Sequence, residues 1–327
     1  MTTREILDRF RGLSALVVGD ICLDRWCRYD PAAADLSRET GIPRIGVVSA
    51  RTTAGAGGTV ANNLIDLGAG RVAVLGVIGH DGYGYELKRE LALRQIDPSL
   101  LVEVHGMQTF TYTKLINNDT GVEDLPRVDF ITTHELSEEV YDMLIERFWL
   151  ALPEFDAVLV SDQAETEHGG TVSAPLRDAL SQATMECPDK VFWVDSRMRL
   201  ELFRGVVAKP NLLEAELACQ RLFGRMDLER LRRHIGDRPL VVTCGAEGAR
   251  IVDDGGIHTV PGASVASPID ICGAGDGFSA AAALTLAATS SIFEAVRIGN
   301  LAASVTIMKP GTGTATPAEV LEAESRQ

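Results

Sequence analysis

Short apolar runs alternate with amphipathic stretches along most of the chain. Near-continuous β-branched runs that end in a small or polar residue predict buried parallel strands, and apolar positions at helical spacing predict the helices between them. The predicted strands are Leu13–Asp20, Arg71–Gly79, Phe155–Asp162, Lys190–Ser196 and Pro239–Gly245. The predicted helices are Thr59–Leu67, Tyr83–Arg94, Ser137–Leu152, Val172–Met185, Leu212–Phe223, Asp276–Ala288 and Ile292–Met308. This alternation favours a doubly wound α/β fold, with helices on both faces of a mostly parallel sheet.

Two stretches, about residues 22–50 and 105–130, break this alternation. They contain strand-like segments such as Pro43–Ala50 and Thr109–Ile116, but no helical periodicity. We predict that they form a small β-sheet lid over the carboxyl ends of the parallel strands, where open α/β sheets bind ligands. No repeat or flexible linker divides the sequence, so we expect residues 1–327 to form a single domain.

Composition narrows the class of protein. The chain has 46 acidic and 31 basic residues, and its net charge of −15 disfavours binding to nucleic acid or to an anionic membrane surface. The six cysteines form no C-x-x-C motif, and the N-terminal segment lacks an apolar signal core. The longest apolar stretch is shorter than a membrane span requires. We therefore expect a soluble, reduced, cytoplasmic protein.

The strongest local motif is the segment Asp270–Phe278, which reads DICGAGDGF and leads into an alanine-rich helix. Small residues at the start of a helix let backbone N–H groups converge into an anion hole suited to phosphate. A carboxylate there repels phosphate, which makes sense if Asp276 acts as a base that takes a proton from a hydroxyl. We expect the helix start to keep this carboxylate ionised at neutral pH. The alternative, a simple helix cap, is the favoured reading of this segment by itself.

A second glycine-rich segment, Ala54–Asn63, precedes a predicted helix. Its glycines permit close approach of the backbone to a ligand, although a flexible turn with a capping asparagine is an equal alternative. The segment matches the dinucleotide-binding fingerprint only in part, because Val60 stands in the place of the last glycine. No Gly-Lys pair occurs anywhere in the chain, which excludes a P-loop.

Two further segments follow predicted strands. In Lys209–Glu214 (KPNLLE), Asn211 and Glu214 lie three residues apart and could organise a hydrated Mg²⁺ ion. The same pair has the form of a helix capping box, which is the simpler reading of the segment alone. The turn Thr243–Gly248 (TCGAEG) is unremarkable by itself.

Taken together and in this order, these segments resemble the ribokinase-like (PfkB) carbohydrate kinases from about Leu13 to Val320. Within that family the chain looks most like the heptose-phosphate kinase branch, the kinase half of a bifunctional enzyme. The residues that carry this closer likeness are Gly19–Trp26, Ser37–Glu39, Ile42–Pro43, Thr113–Leu115, Arg127–Phe130 and Leu159–Asp162. Because the sequence ends soon after Val320, we expect no nucleotidyltransferase half.

The sequence departs from that branch at two places where a lysine is usual. Gln163 and Glu165 stand in one of them, and Asp195-Ser196-Arg197 stands where Asp-Pro-Lys is common. Arg197 replaces a lysine only in part, because its charge lies on a planar fork and not at a point. Ile271 and Cys272 also differ from the small or hydroxylated residues usual in the second signature. These differences bear on the acceptor, whereas Gly273, Gly275 and Asp276 keep the kinase pattern.

The resemblance implies ATP-dependent phosphorylation of a hydroxyl of a sugar or sugar phosphate, with a heptose 7-phosphate-like compound as one candidate acceptor. Asp276 would be the base, and the amides of Gly273, Ala274 and Gly275 would stabilise the transferred group. The implied acceptor-binding residues are Asp24, Gly57, Gly58, Asn62, Lys114 and Asp129. The implied nucleotide-binding residues are Asn211, Glu214, Thr243, Gly245, Gly248 and Asn300. Glu214 would hold Mg²⁺ through water, and Asp270 is a candidate for a loop that binds a monovalent cation such as K⁺.

Two other functions remain open at this stage, a nucleoside kinase of the same fold and a non-catalytic relative that binds sugar or nucleotide. A nicotinamide-dependent dehydrogenase is a more distant alternative. Related kinases often bury the lid against a second copy, so the resemblance implies a homodimer. The apolar lid positions expected to contribute are Ile45, Val47, Val48, Phe110, Tyr112 and Leu115.

Overall fold

The computed structural model describes residues 1–165, 170–265 and 267–326. In chain order its strands are β1 (Ser14–Gly19), β2 (Ile21–Tyr29), β3 (Asp35–Leu36), β4 (Pro43–Arg44), β5 (Val47–Ala56), β6 (Arg71–Leu75), β7 (Val77–Gly79), β8 (Val102–Val104), β9 (Thr111–Asn117), β10 (Val128–Phe130), β11 (Ala157–Asp162), β12 (Val191–Ser196), β13 (Val207–Ala208), β14 (Leu240–Thr243), β15 (Ala249–Asp253) and β16 (Gly256–Val260). The helices are α1 (Thr3–Arg9), α2 (Gly57–Asp66), α3 (Gly82–Leu93), α4 (Glu138–Ala151), α5 (Ala174–Glu186), α6 (Leu212–Phe223), α7 (Leu228–Ile235), α8 (Ala274–Thr289), α9 (Ile292–Thr306) and α10 (Pro317–Ser325).

The main sheet confirms the predicted mostly parallel, doubly wound architecture. Its strand order is β16-β15-β14-β13-β12-β11-β1-β6. The pairs from β6 to β14 are parallel, and only β15 and β16, at one edge, run antiparallel to their neighbours. The order reverses at β1, because the chain places β6 on one side of it and β11 on the other. Such a reversal opens a crevice at the carboxyl ends of the strands.

Both faces of the sheet are covered by helices, which explains the near-continuous apolar character of its strands. Val17 of β1 packs on one face with Trp193 and Phe278, in the layer that contains α2, α8 and α9. Leu16, the preceding residue of β1, packs on the opposite face with Phe148, in the layer that contains α4 to α7. Successive strand residues therefore enter two separate cores.

A second sheet, in the order β10-β9-β2-β5, confirms the predicted lid. Strand β2 runs parallel to β9 and antiparallel to β5, and β9 runs antiparallel to β10. The predicted boundary at residue 50 is too short, because β5 continues to Ala56 and leads directly into α2. The lid is therefore joined to the core by β2 at one end and by β5 at the other.

Some elements differ from the sequence predictions. The predicted strand Arg71–Gly79 is divided, and its second half, β7, pairs with β8 outside the main sheet. Gly76 lies at the division, where a β-carbon would lie 2.5 Å from the carbonyl oxygen of Gly19. The prediction also missed the short helices α1, α7 and α10. In α7 (LERLRRHI) the apolar contacts come from Leu228, Leu231 and Ile235, too few for a clear periodic signal.

None of the described helices combines the length and the hydrophobicity that a membrane span needs. The described cysteines are all free thiols.

Candidate active site

Two adjoining cavities open at the carboxyl ends of the parallel strands. The lid cavity, of about 460 Å³, lies between the lid sheet and the start of α8, and the α8 cavity, of about 820 Å³, lies between α8, α9 and the loops after β13 and β14. Both volumes are in the range of small-molecule sites. The residues that border both cavities are Gln163, Arg197, Cys272, Gly273 and Asp276. The two cavities therefore meet at the beginning of α8.

The start of α8 has the geometry of an anion hole. Gly273, which precedes the helix, has φ +79°, a left-handed conformation that favours glycine. The N–H of Ala274 donates to the carbonyl of Ile271, and that of Gly277 to the carbonyl of Gly273. The N–H groups of Gly275 and Asp276 lie between these two and, as in any first helical turn, have no acceptor within the helix. The segment can therefore bind a phosphate group.

The carboxyl group of Asp276 does not behave as the sequence suggested. Burial first, and the nearby charge of Asp195 second, raise the pKa of Asp276 to about 7, although Lys209 and Arg197 act in the opposite direction. We expected the helix start to keep this group ionised at neutral pH, and with this pKa it is ionised only in part. At pH 7 the carboxyl group is divided between its two protonation states, which suits a residue that accepts a proton.

Lid residues form an ordered polar row above Asp276. In the strand register Asp24 of β2 lies beside Tyr112 of β9, which lies opposite Asp129 of β10. Lys114 follows Tyr112 by two residues, so it belongs to the same face of β9. All four side chains border the lid cavity. Burial raises the pKa of Asp24 to about 6, and Lys114 partly offsets that shift.

Three cations of the lid cavity are already paired with carboxylates, whereas a fourth, Arg25, donates to the hydroxyl group of Tyr83 at 3.2 Å. Nζ of Lys114 lies 3.6 Å from Oε2 of Glu123, and the Arg127 guanidinium donates to Asp129 at 2.7 Å. Arg197 pairs with Glu165 at the other side of the cavity. An anionic ligand would therefore compete with these local carboxylates for each of the three paired cations.

The structure does not bring Gly57, Gly58 or Asn62 into the lining of either cavity. A β-carbon at Gly57 would lie 2.6 Å from Cδ1 of Ile21, and one at Gly58 would lie 2.5 Å from Cβ of Ala54. The Asn62 amide donates to the carbonyl of Ala54 at 3.2 Å, and its own oxygen is buried with no partner among the described residues. These three residues, which we expected to bind the acceptor, instead pack α2 against the lid strands.

The α8 cavity gathers the six residues that the sequence analysis associated with a nucleotide, Asn211, Glu214, Thr243, Gly245, Gly248 and Asn300. Asn211 and Glu214 form a reciprocal capping box at the start of α6, with bonds of 2.9 and 2.8 Å. Asn300 of α9 donates to the carbonyls of Val260 and Pro261. At Gly248, φ is +92° and the backbone packs against Gly262, so a side chain would be strained there.

Comparison with known protein families shows the family to which this chain belongs. A family model described as "pfkB family carbohydrate kinase" matches residues 16–319, nearly the whole chain. The chain belongs to the pfkB family of carbohydrate kinases. The protein is therefore a sugar kinase, as the order of the sequence motifs predicted.

Curated relatives of this pfkB kinase include the bifunctional protein HldE of Trichlorobacter lovleyi, 29% identical over 98% of this chain and 64% of its own length. The HldE of Koribacter versatilis is 29% identical over 95% of this chain and 63% of its own. The chain thus spans a little under two thirds of these relatives.

Solved structures of similar fold include the ribokinase of Thermotoga maritima, with a TM-score of 0.70 and 20% identity over 96% of this chain and 99% of that one. The phosphofructokinase-2 of Escherichia coli in complex with fructose-6-phosphate has a TM-score of 0.69 and 19% identity over the same shares of the two chains. At these identities the likeness shows the fold.

Glu214 is the candidate magnesium residue of this pfkB kinase. Burial first, then the charge of Asp195, raise the pKa of Glu214, while the N–H of Asn211 and the charge of Lys209 lower it. Among the described residues no three histidine, cysteine or acidic side chains are grouped to hold a metal. Mg²⁺ is usually held by one or two carboxylates together with water and substrate phosphates, so a single carboxylate at this edge is sufficient.

Asp270 joins two loops beside the α8 cavity. Its carboxylate accepts the N–H of Cys272 at 2.9 Å and that of Gly311 at 3.1 Å. Burial opposes ionisation, but these two bonds outweigh it and hold the pKa of Asp270 below its usual value. The Asp270 carboxyl group is therefore charged, which fits a loop that binds a cation. Its two hydrogen bonds hold the backbone at Cys272 and at Gly311.

The sequence analysis missed the pairing of two charged residues behind the anion hole. Nζ of Lys209 lies 2.7 Å from Oδ2 of Asp195, and both side chains border the α8 cavity. Asp195 lies near the end of β12, and Lys209 follows β13 directly. Polar residues at the carboxyl ends of neighbouring parallel strands meet at one edge of the sheet. The position of Asp195 and Lys209 at two such strand ends was therefore the feature of the sequence that could have indicated their pairing. Their pairing depends on strand order, which the sequence does not show directly.

Proposed function

We propose that this pfkB kinase transfers the γ-phosphoryl group of ATP to a hydroxyl of a sugar or sugar phosphate held in the lid cavity. The observation that supports this most is the meeting of the two cavities at Asp276 and the start of α8. A nucleotide in the α8 cavity and an acceptor beneath the lid would face each other across this junction. Phosphoryl transfer depends mainly on such positioning and on charge stabilisation.

In the proposed reaction the acceptor hydroxyl oxygen forms a bond to the γ-phosphorus, and the bond from that phosphorus to the β–γ bridging oxygen breaks. ADP leaves with the electron pair, and the hydroxyl proton passes to the Asp276 carboxylate. The N–H groups at the start of α8 stabilise the charge on the transferred group. Glu214 would hold Mg²⁺ through water, and the ion would supply positive charge that neutralises phosphate. The lid, with Asp24, Lys114 and Asp129, orients the acceptor and excludes water, which would suppress hydrolysis of ATP.

We propose that the whole chain acts as one kinase domain in the cytoplasm, with the lid patch (Ile45, Val47 and Val48) buried against a second copy. These three apolar residues are exposed in the single chain. Phe110 and Leu115, which we also expected at this surface, are buried within the chain, and Tyr112 borders the lid cavity. The pairing surface therefore comes from the segment that begins β5 and not from β9.

The first test is a screen of ADP release in the presence of ATP, Mg²⁺ and a panel of sugars, sugar phosphates and nucleosides. We expect turnover with a sugar or sugar phosphate, and a heptose 7-phosphate belongs in the panel because of the sequence likeness. Turnover with nucleosides alone would contradict the assignment, and so would failure to use ATP. Repeating the best reaction in KCl and in choline chloride tests the cation loop at Asp270, for which we expect higher activity in KCl.

If the acceptor carries a phosphate, we expect Lys114 and Arg197 to contact it. Lys114→Ala and Arg197→Ala should then each raise KM for the phosphorylated acceptor by about tenfold, while ATP affinity stays the same. Arg44→Ala is a suitable control, because Arg44 lies on β4, outside the lining of both cavities. An unchanged KM in both variants would show that neither residue binds the acceptor.

A further inference from the structure

We propose that Lys209 contacts the transferring phosphoryl group from behind the first turn of α8, and that Asp195 positions it there. This inference rests on the proposed function and adds a buried cation to the backbone amides of the anion hole. Lys209 would be a catalytic residue, since it touches the reacting group, and Asp195 would act only through Lys209 and through its charge.

The geometry places the lysine against the anion hole. A β-carbon built on Gly275, in the first turn of α8, would lie 3.5 Å from Nζ of Lys209 and 4.0 Å from Oδ2 of Asp195. The Lys209 side chain is only 4% exposed and that of Asp195 only 13%. The ammonium group is therefore held next to the backbone that would bind phosphate, with little freedom to move away.

The lysine carries a charge in spite of its burial. Desolvation alone would lower the pKa of Lys209, but the charges of Asp195, Glu214 and Asp276 outweigh it and raise that pKa. An ammonium group has three N–H donors, and Asp195 is the partner recorded for it among the described residues. Donors therefore remain for a phosphate oxygen, to which lysine binds as a point charge.

Stability alone gives little reason for this pair. Burying two charges costs as much free energy as their attraction returns in many proteins, and apolar residues of similar size often replace such a pair without loss. A role in binding the transferred phosphoryl group explains why the pair occupies this position, in the wall of the α8 cavity beside the first turn of α8.

Asp195 and Lys209 also act on the base in opposite directions. The charged groups that affect Asp276 are Asp195 and Asp24, which raise its pKa, and Lys209 and Arg197, which lower it. Removing Lys209 should move the acidic limb of the kcat profile to higher pH, and removing the charge of Asp195 should move it to lower pH. These shifts test the electrostatic effect of the pair on Asp276, and the nucleotide comparison below tests contact with the phosphoryl group.

The test compares two nucleotides by calorimetry, AMP-PNP as a non-hydrolysable ATP analogue and ADP, both with Mg²⁺. Because Lys209 would contact the γ-phosphoryl group, Lys209→Met should weaken AMP-PNP binding by about tenfold and ADP binding by less than about threefold. With the acceptor found in the screen, kcat should fall by about 10²-fold. The matched control is Lys190→Met at the opposite end of β12, where Nζ donates to the carbonyl of Phe155.

The outcomes separate this inference from the proposed function. A parent protein that binds neither nucleotide contradicts the kinase assignment itself. A parent that binds both, with a Lys209→Met variant that loses affinity for both equally or for neither, overturns only the role of Lys209. Because the single variant leaves Asp195 buried without its partner, the double variant Asp195→Asn/Lys209→Met is measured as well, with its melting temperature. We expect the folded double variant to show the same selective loss for AMP-PNP, and equal affinities would overturn the inference.

Discussion

Asp276 lies where the two cavities meet, and as the proposed base it must lose its proton before the reaction. Since its pKa is raised to about 7, kcat should fall as the pH drops below about 7, where the protonated form accumulates. Asp276→Asn should lower kcat by about 10²–10⁴-fold and abolish this fall, while ATP affinity changes little. The measurement is kcat from about pH 5.5 to about pH 8.5 for both proteins.

Asp8→Asn, an exposed aspartate of α1, serves as the control for that substitution. If Asp276→Asn keeps kcat within a few-fold of the parent, Asp276 is only a helix cap and the proposed mechanism is wrong. A parent profile that is flat between about pH 6 and about pH 8 would contradict the assignment of the base on separate grounds.

Gly55, on β5, allows the Asp24 carboxyl group to occupy its place in the lid cavity. A β-carbon at position 55 would overlap all three atoms of that carboxyl group. Gly55→Ala should therefore displace Asp24 and lower kcat/KM for the acceptor by about 10²-fold, with KM for ATP nearly unchanged. Gly12→Ala is the control, since nothing lies within 4 Å of a β-carbon there. Equal kinetics in the two variants would show that Asp24 does not orient the acceptor.

The helices and strands that were predicted best are those whose ends carry a local sequence signal, such as a capping residue. Helix α6 begins and ends as predicted, because Asn211 and Glu214 cap its start and Gly224, in a left-handed conformation, ends it. Strand Arg71–Gly79 was predicted without its division, since the close approach of Gly76 to Gly19 comes from a different strand. Local signals are visible in a sequence, whereas contacts between distant segments are not.

The lid carries a prediction about assembly. The lid patch exposes about half of each of Val47 and Val48, at 48% and 57%, near the free edge of a four-stranded sheet. We expect a homodimer in light scattering at micromolar concentration, and a monomer for Val48→Asp, because a buried unpaired carboxylate opposes association. Leu150→Asp, at an even more exposed apolar position of α4, should leave the dimer intact. A monomeric parent protein would contradict this prediction.

For the whole molecule, buried carboxyl groups link stability to pH. Burial raises the pKa of Asp24 and Asp162 to about 6 and that of Asp276 to about 7, above the ordinary value of 3.8. The folded protein therefore binds more protons than the unfolded chain between about pH 4 and about pH 7, and its stability falls as the pH rises through this window. Carboxyl groups with lowered pKa values, such as Asp81, stabilise the folded protein when ionised, and this stabilisation is lost only in more acidic solution.

The melting temperature should accordingly be higher at about pH 6 than at about pH 8, by about 2 °C or more. Asp162→Asn should reduce this difference, because Asp162 is fully buried and contributes one of the raised values. An equal or higher melting temperature at the more alkaline pH would show that these carboxyl groups do not govern the stability of the folded chain.

The fold and the motif order could be predicted because each depends on residues that are close in sequence. The charge balance of the site could not, because the pKa of Asp276 depends on Asp195 and Lys209, which reach it from two other strands. The same holds for Asn62, where a sequence motif suggested contact with a ligand and the structure shows a bond to Ala54. Electrostatics and packing at the site are properties of the assembled sheet.

The wall shared by the two cavities has a thermodynamic consequence. Arg197 and Gln163 border both cavities and are joined by a bond of 2.7 Å, so a ligand that rearranges them in one cavity alters the surface met by a ligand in the other. Such an influence is reciprocal. If the bound nucleotide changes the affinity for the acceptor by some factor, the bound acceptor changes the affinity for the nucleotide by the same factor.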